Sequence, residues 1–139
     1  MGEVTDLPLS EDVIVRWGGW DPRFARVVLI EQSGVHALVL VDGNGDGAEL
    51  ELGYWQHDAG DGWRCETSSG LGPLDTLETV DAWNTGDLVC AVGRVTPDAV
   101  VRVAYGDRTY SRRANSLGVW GFVHQADSPH PGEVPRLGR

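Results

Sequence analysis

Ala99-Val-Val-Arg-Val-Ala-Tyr105 and Ala48-Glu-Leu-Glu-Leu-Gly-Tyr54 are two period-two stripes, each bounded by turn residues. Alternation of this kind sends successive side chains to opposite faces of an extended backbone, so both stretches read as β-strands. Similar runs recur on either side of them. Residues 35–41 are apolar on both faces except for His36, as a strand at the centre of a sandwich requires. Residues 48–55 place Ala48, Leu50, Leu52 and Tyr54 on one face and Glu49 and Glu51 on the other, which predicts one wet face.

Residues 1–12 are acidic and interrupted by proline and read as a lead-in, with the folded region expected over 13–126 and a proline-rich tail over 127–139. A short strand is expected over 13–17, and Trp20-Asp21-Pro22 ends regular pairing because proline lacks the ladder donor. Residues 23–31 permit a short helix, but their β-branched run and the Ser33-Gly34 turn favour a strand. The sequence D-G-N-G-D-G from Asp42 closes one hairpin and residues 57–62 the next, before a strand at 63–66. From Thr67 to Thr85 alternation fails, and Leu74, Leu77 and Val80 recur every third residue, as in one or two helical turns. Residues 88–95, 99–105, 108–114 and 117–124 then read as a four-strand meander with corners at Thr96-Pro97-Asp98, Gly106-Asp107 and Asn115-Ser116. About eight or nine short strands at roughly 8–12-residue spacing predict an all-β domain, an antiparallel two-sheet sandwich, with a partly closed barrel as the alternative.

The stretch G-R-V-T-P-D-A-V-V-R-V-A-Y-G-D-R-T-Y, followed by S-L-G-V-W-G-F-V, resembles prealbumin-like and carboxypeptidase-regulatory-like sandwich modules, in which a G-x-V strand, a turn and an A-x-V-x-V strand precede a D-G-x-F-x-F strand. Leu117 stands where that pattern has Asp. The resemblance implies an Ig-like or prealbumin-like topology and no particular activity. D-G-W-R-C-E-T-S-S-G-L-G-P is similar to small β-rich proteins of high-GC Gram-positive bacteria, and basic residues that are all arginine likewise suggest a high-GC coding genome.

At 139 residues the chain is long enough for one core without staples, and its 19 glycines and 7 prolines supply the corners of a turn-rich β protein. A formal net charge of −10 opposes binding to a phosphate backbone or an anionic lipid surface. No nucleic acid and no membrane partner is therefore expected, although Arg102, Arg108, Arg112 and Arg113 cluster late in the chain. The opening M-G-E-V-T-D-L-P lacks a basic and apolar leader, so a soluble, cytoplasmic protein is expected.

Asp42-Gly-Asn44-Gly-Asp46-Gly47-Ala48 matches the first seven positions of a calcium loop, with oxygens at one, three and five, glycine at six and a carbonyl at seven. The twelfth position is Gly53 rather than a bidentate Glu, and the flanks read as strands. A glycine- and acid-rich hairpin connection explains the same letters, with a weak calcium site at Asp42, Asn44, Asp46 and Ala48 as the alternative. No other cofactor is expected. Of six tryptophans, Trp17 and Trp20 flank Gly18-Gly19 in an irregular segment and are the candidate binding surface, whereas Trp63 and Trp120 read as core. Cys65 and Cys90 read as free structural thiols, with a disulfide the alternative.

Catalytic patterns are missing. Glu66 replaces the first glycine of a G-x-S-x-G elbow, and His36, His57, His124 and His130 show no metal-ligand spacing. The expectation is a non-enzymatic acidic β-sandwich that presents a protein-interaction surface, of inhibitor or immunity type. The alternative is a carbohydrate or small-ligand binding module, with or without calcium.

Overall fold

The computed structural model describes residues 8–126 and 131–138. Strands account for 53% of the chain and helix for 8%, so the all-β expectation holds. Every strand pairing is antiparallel. The chain forms two compact units, Met1–Thr76 and Leu77–Arg139, and the boundary falls inside the stretch where alternation fails.

The first unit begins with helix α1 (Glu11–Trp17), a correction to the strand expected over 13–17. Three β-branched residues suggest an extended chain, but the ends are built for a helix. The Ser10 hydroxyl accepts from the Val13 N–H at 3.3 Å, and Glu11 and Asp12 sit in the first turn where the helix dipole favours negative charge. Gly18 stops the helix and returns its N–H to the Ile14 carbonyl at 2.8 Å. Ile14 is fully buried, worth about 1.5–3 kcal/mol of apolar transfer. Leu9, in the expected lead-in, is buried as well, and its N–H donates to Gln32 Oε1 at 3.0 Å.

Strands β1 (Arg26–Ser33), β2 (His36–Asp42), β3 (Leu50–Asp58) and β4 (Gly62–Gly72) follow as a sheet in sequence order. Ala37, Val39 and Val41 alternate along one face of β2 and meet Ile14, Trp55 and Trp63 in a single cluster, while Leu38 and Leu40 on the other face are buried too. Only part of the wet face expected for 48–55 is wet, because Gly53, Trp55 and His57 are buried on the same face as half-buried Glu51. β4 extends well past residue 66 as a largely exposed edge strand. Its alternation fails on paper because the register against β3 shifts between Leu50 and Glu51 and again between Tyr54 and Trp55. A 3-10 turn at Leu74–Thr76 supplies the helical turn expected there.

In the second unit, β5 (Asp81–Asn84), β6 (Leu88–Arg94) and β9 (Val119–Gln125) form one sheet, in the order β5-β6-β9. β7 (Val100–Tyr105), β8 (Arg108–Arg113) and β10 (Arg136–Leu137) form another, in the order β10-β7-β8. The expected four-strand meander is therefore corrected: β6 pairs with β9, and the β7–β8 hairpin belongs to the second sheet. Leu88–Val92 and Val119–Val123 are buried on both faces, so β6 and β9 gain most by pairing with each other. Val89 and Ala91 of β6, Val101 and Val103 of β7, and Trp120 and Phe122 of β9 share one core, so the two sheets of this unit turn apolar faces onto each other. Asp127–His130, within the expected tail, lie outside the described residues.

The division also partitions charge. Fourteen of the 21 carboxylates but only four of the 11 arginines fall in the first unit, giving it −10; the second holds seven of each and is neutral.

Candidate functional site

The loop between β2 and β3 is fastened from its first residue. Asp42 is 6% exposed, and its Oδ1 and Oδ2 accept from the N–H groups of Gly45 at 3.0 Å and Gly47 at 2.6 Å. Asp46 Oδ1 accepts from the Ala48 N–H at 3.0 Å, and the Gly47 carbonyl accepts from the Leu74 N–H at 2.9 Å. The two carboxylates expected as cation ligands are thus engaged by the loop's own amides. Among the described residues, no group of three or more His, Cys, Asp or Glu is placed to hold a metal ion.

The loop also explains where Trp20 goes. A Cβ built at Gly43 would lie 2.9 Å from Trp20 Cζ3, and one at Gly18 would lie 2.8 Å from Trp20 Cδ1, so the indole is seated on two glycines. Trp20 is half-buried against the helix-side core. A Cβ at Gly45, whose φ is +75°, would meet the Phe24 carbonyl at 2.5 Å, so the loop also packs on the chain entering β1.

Of the expected pair, Trp17 stands 68% exposed, whereas Trp20 is half-buried. Phe24, expected within a strand over 23–31, lies instead in the turn before β1 and is 51% exposed. Its ring carries the Arg23 guanidinium 5.2 Å from its centroid, and Arg23 is held in turn by a two-point bond to Asp21, at 3.2 Å and 2.9 Å. That bond, together with the Arg23 N–H, holds the Asp21 carboxyl below its ordinary range. Fixed rotamers around an exposed ring lower the entropy lost when a partner covers it.

A concave feature belongs to the other unit. A cleft of about 440 Å³ is lined by Tyr105, Asp107, Arg108, Tyr110, His124 and Gln125, together with Ala126. On the inner face of the β7–β8 hairpin and of β9, positions occupied by valine and phenylalanine in the core change to tyrosine, arginine and histidine at this end. His124 stacks on Phe122 with centroids 6.0 Å apart, and its Nε2 lies 3.4 Å from the Tyr110 hydroxyl. No local motif marks this cleft, because its residues come from three strands.

No family model, curated protein or solved structure matches this chain. The late arginines do not form one stripe: strand register puts Arg102 and Arg113 on the outer face of the β7–β8 hairpin, with Arg108 and Arg112 on the inner face. His36 Nδ1 pairs with the Tyr54 hydroxyl at 2.6 Å, and His57 is buried edge-on to Trp63 with its Nδ1 unpartnered among the described residues. His130 lies outside the described residues. No helix among the described residues is long and apolar enough to cross a membrane.

Both cysteines are free thiols, Cys65 exposed and Cys90 buried. Burial pushes the Cys90 thiol up to about 12, and Cys65 is raised by desolvation, then by Glu51 and Glu66. Because the thiolate is the nucleophile, iodoacetamide at neutral pH should label Cys65 slowly and Cys90 only after denaturation. Mass spectrometry of the native chain would then show at most one adduct; two adducts without unfolding would contradict this burial.

Proposed function

We propose that the first unit is a non-enzymatic protein-binding module that docks a basic partner through Trp17 and Phe24. The observation that carries this reading is the exposure of two large aromatic residues, at 68% and 51%, within one short stretch of a unit whose other tryptophans are buried or half-buried. Exposed aromatic side chains of this size are the usual anchors of interfaces, since they bury large areas with few rotors to freeze. Charge selects the partner. A unit at −10 draws a basic surface by long-range attraction, raising the association rate most at low salt.

The test uses the wild-type chain and the Trp17→Ala/Phe24→Ala variant side by side as bait against a source lysate. Proteins retained only by the wild type are then purified and rebound singly. The expected partner is basic, binds more weakly as salt rises, and loses roughly 30-fold in affinity for each anchor removed, about 2 kcal/mol. Both residues are largely solvent-facing, so stability should move by no more than about 0.5 kcal/mol each. Equal binding by the variant would remove this surface from consideration.

A further inference from the structure

The cleft in the second unit combines features that the aromatic surface of the first does not have. We propose that it binds a neutral, polyhydroxylated small molecule of sugar type, with one ring face against Tyr110 and His124 and hydroxyls bonded to Arg108 and Gln125. Its volume of about 440 Å³ falls within the ~300–1,000 Å³ range of small-molecule sites. Sugars present a C–H face and a rim of hydroxyls, and the lining offers both complements: aromatic rings on one wall, planar hydrogen-bonding groups around them. Asp107 and Arg108 are adjacent and of opposite sign, which disfavours a strongly charged ligand of either sign. Arg108 and Gln125 are exposed residues of the lining, and neither spends its side chain on a hydrogen bond or ion pair among the described residues, which leaves their donors to a ligand.

Both walls are held in place before any ligand arrives. The Gly106 N–H at the tip of the β7–β8 hairpin donates to Glu133 Oε2 at 2.6 Å, and Asn84 Nδ2 donates to the Glu133 carbonyl at 2.7 Å. At the end of β9, the Ala126 N–H donates to the Asp87 carbonyl at 2.8 Å. Tyr105, at the floor, is 2% exposed and meets the His124 ring edge-on at 6.3 Å. A site supported in this way loses little entropy on binding.

The test titrates the intact, isotope-labelled chain with glucose, galactose, mannose, N-acetylglucosamine, maltose and lactose, following amide chemical shifts, with inorganic phosphate as an anionic and glycine as a zwitterionic probe. At least one sugar should give saturable shifts confined to residues 105–110 and 124–126. Arg108→Gln and Gln125→Ala alter exposed side chains and should each weaken that binding about tenfold. Tyr110→Phe keeps the packed ring, removes the hydroxyl and should cost less, whereas Trp17→Ala should change nothing. Saturation by phosphate or glycine with no response to any sugar would overturn the proposal, as would sugar shifts elsewhere in the chain or no saturable shift at all.

Discussion

Gly93→Ala should disrupt the second unit, although it adds a single methyl group. Gly93 lies in β6 directly across from Trp120 in β9. A Cβ there would sit 2.0 Å from the Thr79 carbonyl oxygen and 2.7 Å from Trp120 Nε1, far inside van der Waals contact with a backbone atom that cannot rotate away. Trp120 is fully buried, and its indole N–H donates to that same carbonyl at 3.3 Å. The methyl therefore forces the Thr79 backbone away from β6 and breaks the hydrogen bond of a buried tryptophan. Overpacking costs about 1–3 kcal/mol and an orphaned buried donor about as much again, so the combined loss is on the order of 4 kcal/mol. Against a total of about 5–15 kcal/mol for a domain, that is a large fraction. Amide exchange in β6 and β9 should accelerate by roughly three orders of magnitude, while Gly60→Ala, at a position with nothing within 4 Å, should leave exchange unchanged. A Gly93→Ala chain within 0.5 kcal/mol of the parent would mean that Thr79 and Trp120 are not packed as described.

Gly93 also illustrates what local sequence conveys and what it does not. The period-two stripe at 99–105 predicts which side chains of β7 turn inward, and Val101, Val103 and Tyr105 do so. Periodicity fixes faces, but partners depend on which apolar surfaces meet across the sheet. Hence 88–95 and 117–124 are recognisable as strands, while their pairing with each other is not. The helix at Glu11–Trp17 is hidden for a different reason. Val13, Ile14 and Val15 favour extended backbone, and the opposing signals are a serine cap, two acids and a stop glycine, each worth little until Ile14 is buried. Ser10-Glu11-Asp12 followed by Gly18 is the local signal that marks this helix.

The candidate sites divide along the same line. Trp17 reads as exposed because it flanks glycines in an irregular segment, and it is. Trp20 has the same local context, yet it covers Gly43, 23 residues away, a contact that no window of sequence contains. The cleft is harder still, since Tyr105, Tyr110 and His124 become neighbours only when a hairpin from one sheet meets the end of a strand from another.

Asp42→Leu should lower stability by about 3 kcal/mol, the second-largest effect expected here and the one that decides what the acidic loop is for. Both carboxylate oxygens hold loop amides, and hydrogen bonds to a charged acceptor contribute about 1.5–3 kcal/mol each, discounted because water can reach the freed Gly45 and Gly47 N–H groups. Asp42→Asn keeps one accepting oxygen and should lose about half as much. The alternative, a calcium loop, makes the opposite forecast in chelator: with no cation present, removing one carboxylate from an acidic cluster relieves repulsion and leaves the melting temperature unchanged or higher. Thermal unfolding of the parent and both variants, with EDTA and with millimolar calcium, separates the two. A structural turn gives a lowered Tm for both variants in either buffer and a parent indifferent to calcium; a cation site gives a calcium-dependent rise that only the parent shows. The loop lies against the Phe24 carbonyl at Gly45 and against Trp20 at Gly43, so loosening it should also free the segment that presents Trp17 and Phe24. Asp42→Leu should therefore weaken docking of the basic partner without touching it, whereas Trp17→Ala weakens docking with no loss of stability. That contrast distinguishes a residue that shapes the surface from one that is the surface.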